Sequence, residues 1–295
     1  MSTPLASVGI SFKNPGDYFR LALQSVFAQS FQDWELILVD DGTTDGSETL
    51  ASTLADPRVR LHRDGLSRNL NVRLNQMVQM ARGKYFFRMD ADDVMHPERM
   101  ERQIAVLDQA CPNTVIGTEA LVIDNLSRVR GLRRVASGTR HGFAARHSFI
   151  HPTVASTRKW FLDNPYSEHF IYHRSQDAEL WCRTSRESNF HSMPEPLLFY
   201  RESGTFSFPN YLGSSMGILH LAHRHANSKY SFLKQLTTET AKFWLTTALY
   251  GCGGVDLLLN RRSLPISETQ RREAKAVLDY IANYSLPQLS QASAS

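Results

Sequence analysis

The chain has 295 residues, 42% hydrophobic and 21% charged, which is ordinary globular composition and enough for one large domain or one domain with an extension. A formal charge of +4 with no long basic block argues against a nucleic-acid partner. Three separated cysteines, Cys111, Cys182 and Cys252, form no Cys-x-x-Cys pair and fit a reducing compartment. Met1–Ser7 lacks the features of a signal peptide, so a cytoplasmic location is expected. Phe243–Leu259, interrupted by Asp256 and three glycines, is too short and too broken for a membrane span.

In chain order, Ala6–Phe12 reads as a short apolar strand, and Asn14-Pro15-Gly16-Asp17 as a turn into a helix with Tyr18, Leu21, Ala22, Ser25 and Val26 on one face. Glu35–Val39 is nearly all apolar and reads as a strand buried on both faces. It ends in Asp40-Asp41-Gly42, and Thr43-Thr44-Asp45 supply cap chemistry for a helix reaching about Leu54. Val59–His62 is a third strand. Ser67–Ala81 is a helix with Leu70, Leu74, Met77 and Val78 inward.

Tyr85–Met89 is another buried strand, and it runs into Asp90-Ala91-Asp92-Asp93. Side chains alternate along a strand, so Asp90 and Asp92 point the same way if the strand continues. Like charges held that close repel unless a positive group lies between them, and a hard divalent cation is the usual partner of clustered carboxylates. Read alone, the run also serves as a polar turn capping the helix opened by Pro97. Two strands of one alternating β/α pattern nevertheless deliver aspartates at their carboxyl ends, the edge where open α/β sheets bind ligands. That favours a nucleotide and metal site.

These stretches resemble glycosyltransferase family 2. The likeness rests on Ser7–Asn14, Ser25–Phe31, Trp34–Asp45, Arg88–Asp93 with Pro97–Met100, His151-Pro152-Thr153, Gln176–Arg183 and Pro194–Arg201, and so covers about the first two hundred residues. It implies an α/β fold of GT-A type: a Rossmann-like, mostly parallel sheet flanked by helices, with a C-terminal helical extension. The catalytic domain would be residues 1–204, with nucleotide-sugar binding in 1–110 and the acceptor side in 111–204. Residues 205–295 would be helical and end in a disordered tail from Leu286.

The resemblance further implies a nucleoside-diphosphate sugar donor, a divalent metal (Mn2+ or Mg2+) and inversion at the anomeric carbon. Asp41 would accept hydrogen bonds from the base, with Asn14 beside it; Asp90 would approach ribose or metal, and Asp92 would hold the metal. Ser11, Phe12 and Arg88 complete the donor-side set. Asp177 stands where the family places its catalytic base, with Glu179 as the fallback and His151 on the acceptor side. Ser11 and Lys13 occupy positions where the family often has Pro and Tyr, so an aromatic for base stacking is absent and Lys13 becomes a candidate for the phosphates.

Asp177 also lies in the first turn of the helix expected over Gln176–Arg186, where the helix dipole favours a carboxylate. Ser137–His147 reads as an exposed loop rich in Gly, Arg and His. Leu212–Arg224, Tyr230–Leu249 and Ile266–Tyr284 read as helices. His220, His223 and His225 have loose metal spacing without a carboxylate or Cys to complete a site. Trp244, Leu245, Leu249 and Tyr250, with Arg261-Arg262, suit packing on the catalytic domain or a membrane surface. The expected activity is metal-dependent sugar transfer, from a nucleotide sugar such as a UDP-sugar to a glycan or lipid-linked acceptor, as in bacterial surface-polysaccharide assembly. Peripheral membrane association and self-association remain open. The competing functions are a sugar nucleotidyltransferase, which the segment after the first strand disfavours because it has one Gly and the acidic Asp17, and a nucleotide- or glycan-binding protein without transferase activity.

Overall fold

A computed structural model describes residues 3–135, 138, 140–202, 207–226, 228–252 and 263–287. Arg261-Arg262, Ser203–Phe206 and the tail beyond 287 therefore lie outside the described residues. Strands β1 (Ala6–Phe12), β2 (Trp34–Asp40) and β4 (Tyr85–Asp90) are buried along nearly their whole length. That is why they read as continuous apolar runs: both faces are covered. β1 is parallel to β2 on one side and to β4 on the other, and β3 (Val59–His62) is parallel to β2. The connecting helices are α1 (Tyr18–Phe27), α2 (Ser47–Ser52) and α3 (Leu70–Met80). Asn69 starts α3 by accepting the Asn71 and Val72 amides on its side chain, at 3.1 and 3.3 Å.

Beyond β4 the sheet changes direction. Its order is β3-β2-β1-β4-β8-β6-β9-β5, with β7 on β6. β8 (Ala155–Thr157) is antiparallel to both β4 and β6 (Thr114–Ile123). β7 (Val129–Arg133) forms a hairpin with β6, β9 (Asn189–Arg201) runs parallel to β6, and β5 (Val94–Met95) pairs with β9 in the antiparallel sense. The sheet is thus mixed: parallel through β3-β2-β1-β4, antiparallel where β8 joins β4 and β6, and parallel again between β6 and β9.

Three expectations change. The sequence reads a helix starting near Ser156 or Thr157 after His151-Pro152-Thr153, but the chain first enters strand β8, where Ala155 and Ser156 pair with β4, and helix α5 (Arg158–Asp163) follows. Within the expected exposed loop, Gly142–His147 is a 3-10 turn with Gly142, Phe143 and Ala145 buried, and the Arg146 guanidinium sits 3.8 Å from the Phe143 ring centroid. Helix α7 (Phe208–His225) starts earlier than read, because Pro209 stands in its first turn, where a missing N–H costs nothing.

α7 and α8 (Lys229–Gly251) form a helical hairpin. Helix α9 (Glu268–Ala282) is opened by a capping box between Ser267 and Gln270. It returns to the sheet, burying Leu278 and Ile281, and the Gln24 amide of α1 donates to the carbonyls of Ala282 and Tyr284 at 2.9 and 2.8 Å.

Candidate functional site

The parallel register sets three strand ends on one edge: Ser11 lies opposite Asp90 on one side and Val39 on the other, and Phe12 opposite Asp40. The two acidic turns are therefore neighbours across β1. Alternation along β1 turns Ser11 toward the cavity at this edge but sends Phe12 into the core, 1% exposed and stacked on Phe19 at 4.7 Å. Phe12 is thus corrected from donor-side candidate to core residue. Its backbone carbonyl still serves the site by accepting the Asp41 amide at 2.9 Å.

Asp41 is buried, and one of its oxygens accepts the Arg68 amide at 2.7 Å and the Arg73 guanidinium at 2.8 Å. Arg73, fully buried, also grips Asp64 with two nitrogens. The other Asp41 oxygen faces the Ser67 hydroxyl. Gly42 follows with φ +79°, a left-handed turn that a side chain would strain, and a Cβ there would come within 3.3 Å of Ser67 Cβ. Asn14 accepts the Thr44 amide at 2.7 Å and so ties the first loop to the second. Lys13 Nζ donates to the Ser67 hydroxyl at 2.8 Å.

At the end of β4, Arg88 and Asp90 stand two residues apart on one face. Arg88, 2% exposed, binds Asp90 in a two-pronged ion pair, with one arm at 2.6 Å. The positive group beside Asp90 is therefore an arginine of the same strand. Among the described residues, Asp92 and Asp93 have no such ion-pair partner. Asp93 is 1% exposed; one oxygen accepts the Arg201 amide at 2.8 Å and the other, buried, has no hydrogen-bond donor among the described residues. Burial, then the charges of Asp90 and Asp92, push its carboxyl well above the usual range. Asp92 keeps an exposed tip but sits in the same crowded loop, and loss of water followed by Asp90 pushes it up to about 6. Carboxylate oxygens of Asp90, Asp92 and Asp93 lie within 4.8 Å of one another. An orphaned buried oxygen within an excess of negative charge is the donor set of a hard cation, so these residues fit one. Arg201 anchors the loop: its guanidinium donates to the carbonyls of Asp92 and Asp124 at 2.8 and 2.7 Å and covers the Tyr18 ring at 4.2 Å.

Helix α6 (Gln176–Thr184) brings Asp177 in its first turn, and Gln176 beside it lines the same cavity as Ser11, Lys13 and Asp41. That cavity measures about 1050 Å³, and Tyr211, Ser214 and Glu239 of α7 and α8 also line it. Asp177 retains some open surface, yet protein surrounds it, and burial raises its carboxyl above the ordinary value against the opposing pull of the Ala178 amide and Arg88. The helix N-terminus still favours the charged form through the Ala178 amide, but desolvation outweighs it. His151 meets the Tyr166 hydroxyl at 2.9 Å, and burial together with Arg88 holds the imidazole neutral, well below its usual value. Glu179 points elsewhere, locked to Arg183 at 2.8 Å, an i,i+4 pair. His220 and His223 pack on Tyr172 and Phe232, and among the described residues only Asp90, Asp92 and Asp93 group as metal ligands.

Sequence reasoning missed Asp93, Arg201, Tyr166 and the Arg73–Asp64 support. Asp93 stood in the acidic run, and Arg201 ends an apolar stretch just as Asp90 does. Nothing local marked Tyr166 or Arg73.

The Arg73 contact changes what a substitution at Asp41 does. Asp41→Ala is expected to lower stability by about 1–3 kcal/mol, because it strips a buried guanidinium of one charged acceptor. Asp41→Asn keeps an acceptor for Arg68 and Arg73 but removes the second acceptor oxygen at the cavity. Calorimetry should find weaker nucleoside-diphosphate binding to a folded Asn variant; unchanged affinity there would take Asp41 out of the nucleotide site.

Comparison with known proteins bears on the fold and the family. The family model described as Glycosyl transferase family 2 matches residues 7–180. The chain is 31% identical over 223 residues to "Putative glycosyltransferase EpsE" of Bacillus subtilis (strain 168), covering 71% of this chain and 80% of that protein. Among solved structures it resembles S. aureus TarS 1-349 in complex with UDP-GlcNAc, with a TM-score of 0.57, 14% identity, and coverage of 94% of this chain and 80% of that one. It spans 42% of a longer TarS chain, with a TM-score of 0.52. It also resembles the mannosyltransferase PcManGT of Pyrobaculum calidifontis, solved with GDP-Man and Mn2+, with a TM-score of 0.55, 14% identity, and coverage of 96% and 87%.

Proposed function

The chain belongs to glycosyl transferase family 2, and from that membership we propose that it is an inverting, metal-dependent transferase moving a sugar from a nucleoside diphosphate to an acceptor hydroxyl. The observation that carries the reading is one cavity bounded by the ends of β1 and β2 and by the start of α6. Gln176, the neighbour of the candidate base Asp177, thus lines the same space as the donor-side residues Ser11, Lys13 and Asp41. UDP- and GDP-sugars are the donor classes to try first, since the structural neighbours were solved with UDP-GlcNAc and GDP-Man. The acceptor is a glycan or a lipid-linked glycan, the kind of substrate used in building surface polysaccharide.

Asp41 and Asn14 shape the nucleotide end, and Lys13 extends from the same loop toward the phosphates. Asp90, Asp92 and Asp93 would hold Mn2+ or Mg2+, which supplies positive charge against the departing diphosphate. Asp177 takes the acceptor proton as the acceptor oxygen bonds to the anomeric carbon; the bond to phosphate breaks on the opposite face and the nucleoside diphosphate leaves with its electron pair. Tyr166 and neutral His151 hold each other beside Arg88, positioned to orient the acceptor side without adding charge. Residues 1–204 carry this chemistry, and 205–295 serve acceptor access.

A nucleotide-sugar panel tested by thermal melting with Mn2+ is the direct check. A true donor at 100 times its Kd should stabilise the protein by about 2.7 kcal/mol, and release of nucleoside diphosphate should follow. A panel in which no nucleotide sugar shifts the melt and none is turned over would reject the reading.

A further inference from the structure

We propose that the outer face of α8 is a docking surface for an anionic lipid bilayer, set so that a lipid-anchored acceptor reaches the cavity. The proposal rests on the transferase reading and gives its acceptor an anchor. α8 has 23 residues, about 35 Å at 1.5 Å per residue, and only Thr246 among them is buried. Tyr230, Leu233, Thr237, Ala241, Trp244 and Ala248 recur at three- and four-residue steps and are all exposed, which places them on one outward stripe. Tyr230 is 78%, Leu233 55% and Trp244 65% exposed, a large unburied apolar area for one helix. The amphipathic aromatics sit toward the two ends of the stripe, as suits an interface that is apolar on one side and wet on the other.

Charge selects the occupant. Along α7 and α8 the cations are Arg224, Lys229, Lys234 and Lys242, and the sole acid is Glu239, paired to Lys242 at 2.8 Å. On a helical wheel Lys229 and Lys234 flank the stripe on opposite sides, leaving long stems to lie along acyl chains while their ammonium groups meet headgroups. Lys229 and Lys234 leave this face positively charged, and an anionic surface complements them. No helix among the described residues is long and apolar enough to cross a membrane, so the contact is one of lying on the surface. Glu239, on the other side of the helix, lines the cavity with Asp41. One helix diameter, about 10 Å, therefore separates that cavity from the proposed membrane plane.

The test uses the full chain with phosphatidylglycerol–phosphatidylcholine vesicles and with pure phosphatidylcholine. Trp34, Trp160 and Trp181 are buried and Trp244 is exposed, so a blue shift of tryptophan emission reports this face directly. Co-sedimentation with the anionic vesicles at low salt, a blue shift, and a several-fold drop in binding at high salt are expected. The variant Tyr230→Ser/Leu233→Ser/Trp244→Ser should bind at least tenfold less while hydrolysing donor at the unchanged rate. Absence of vesicle binding at low salt, wild-type binding by the triple variant, or a dimer in light scattering that the triple variant abolishes would each overturn the proposal. Donor hydrolysis is read separately: its absence alongside intact vesicle binding would sink the transferase reading and leave the surface standing.

Discussion

Asp177→Asn is expected to lower turnover by roughly 10²–10⁴, the span of a lost general base, with donor affinity nearly unchanged because Asp41, Asp90 and Asp92 remain. Asn matches Asp in size and caps a helix about as well, so a purely structural Asp177 would leave activity intact. Burial sharpens the test. A base works only when deprotonated, and burial lifts Asp177 above its ordinary value. The acid limb of the wild-type pH–rate profile should therefore lie above the usual carboxylate range near 4, and the residual activity of the Asn variant should lose that limb. Stability should move the other way. A carboxyl with a raised folded pKa binds its proton more tightly when folded, so its contribution to stability is lost as pH rises through that pKa. At neutral pH the charged Asp177 is a burden on the fold, and Asp177→Asn should melt no lower than wild type, or somewhat higher. A folded, fully active Asn variant would place the base elsewhere. Glu179 would be a poor successor, since Arg183 occupies it.

The contrast between what was and was not legible in the sequence follows from range. β1, β2 and β4 announce themselves because burial on both faces demands an unbroken apolar run, and their parallel register then fixes which acids become neighbours. Strand alternation was equally legible, and it separates Ser11 from Phe12. The family resemblance named both as donor residues, but β1 can turn only one of two consecutive side chains to the cavity. Asp93 and Arg201 meet across 108 positions, and Arg73 reaches Asp41 across 32. No local pattern encodes such partners. β8, three residues long, exists because β4 and β6 leave a slot between them, so its sequence alone reads equally well as the lead-in to α5. At Asp177 the local argument, a helix N-terminus, was sound and was outweighed by how deeply α6 is set. Desolvation belongs to the whole fold, and a single helix does not carry it.

Asp92→Ala is expected to cost about 10²–10³ in turnover, the scale of removing one electrostatic stabiliser, and excess chelator should abolish transfer until Mn2+ or Mg2+ is returned. Arg88 neutralises Asp90 alone, and Arg201 gives Asp93 an amide and Asp92 only a contact to its carbonyl. The acidic loop thus holds more negative charge than the chain balances, which a bound cation would relieve. Without a cation, the raised values of Asp92, about 6, and of Asp93 make stability fall as pH rises from the ordinary carboxylate value near 4 through 6. Metal-free protein should accordingly melt lower at pH 8 than at pH 5, and Mn2+ should narrow that gap in wild type by binding only the folded, deprotonated loop. Asp92→Ala should flatten the metal-free pH dependence, because one of the repelling carboxylates is gone, and should also blunt the Mn2+ response. These two signatures do not require a known substrate, so they can be measured before donor and acceptor are identified. Transfer that persists undiminished in excess chelator, or a melt indifferent to Mn2+ at pH 8, would return Asp90-Ala91-Asp92-Asp93 to the role of a turn held together by Arg88 and Arg201.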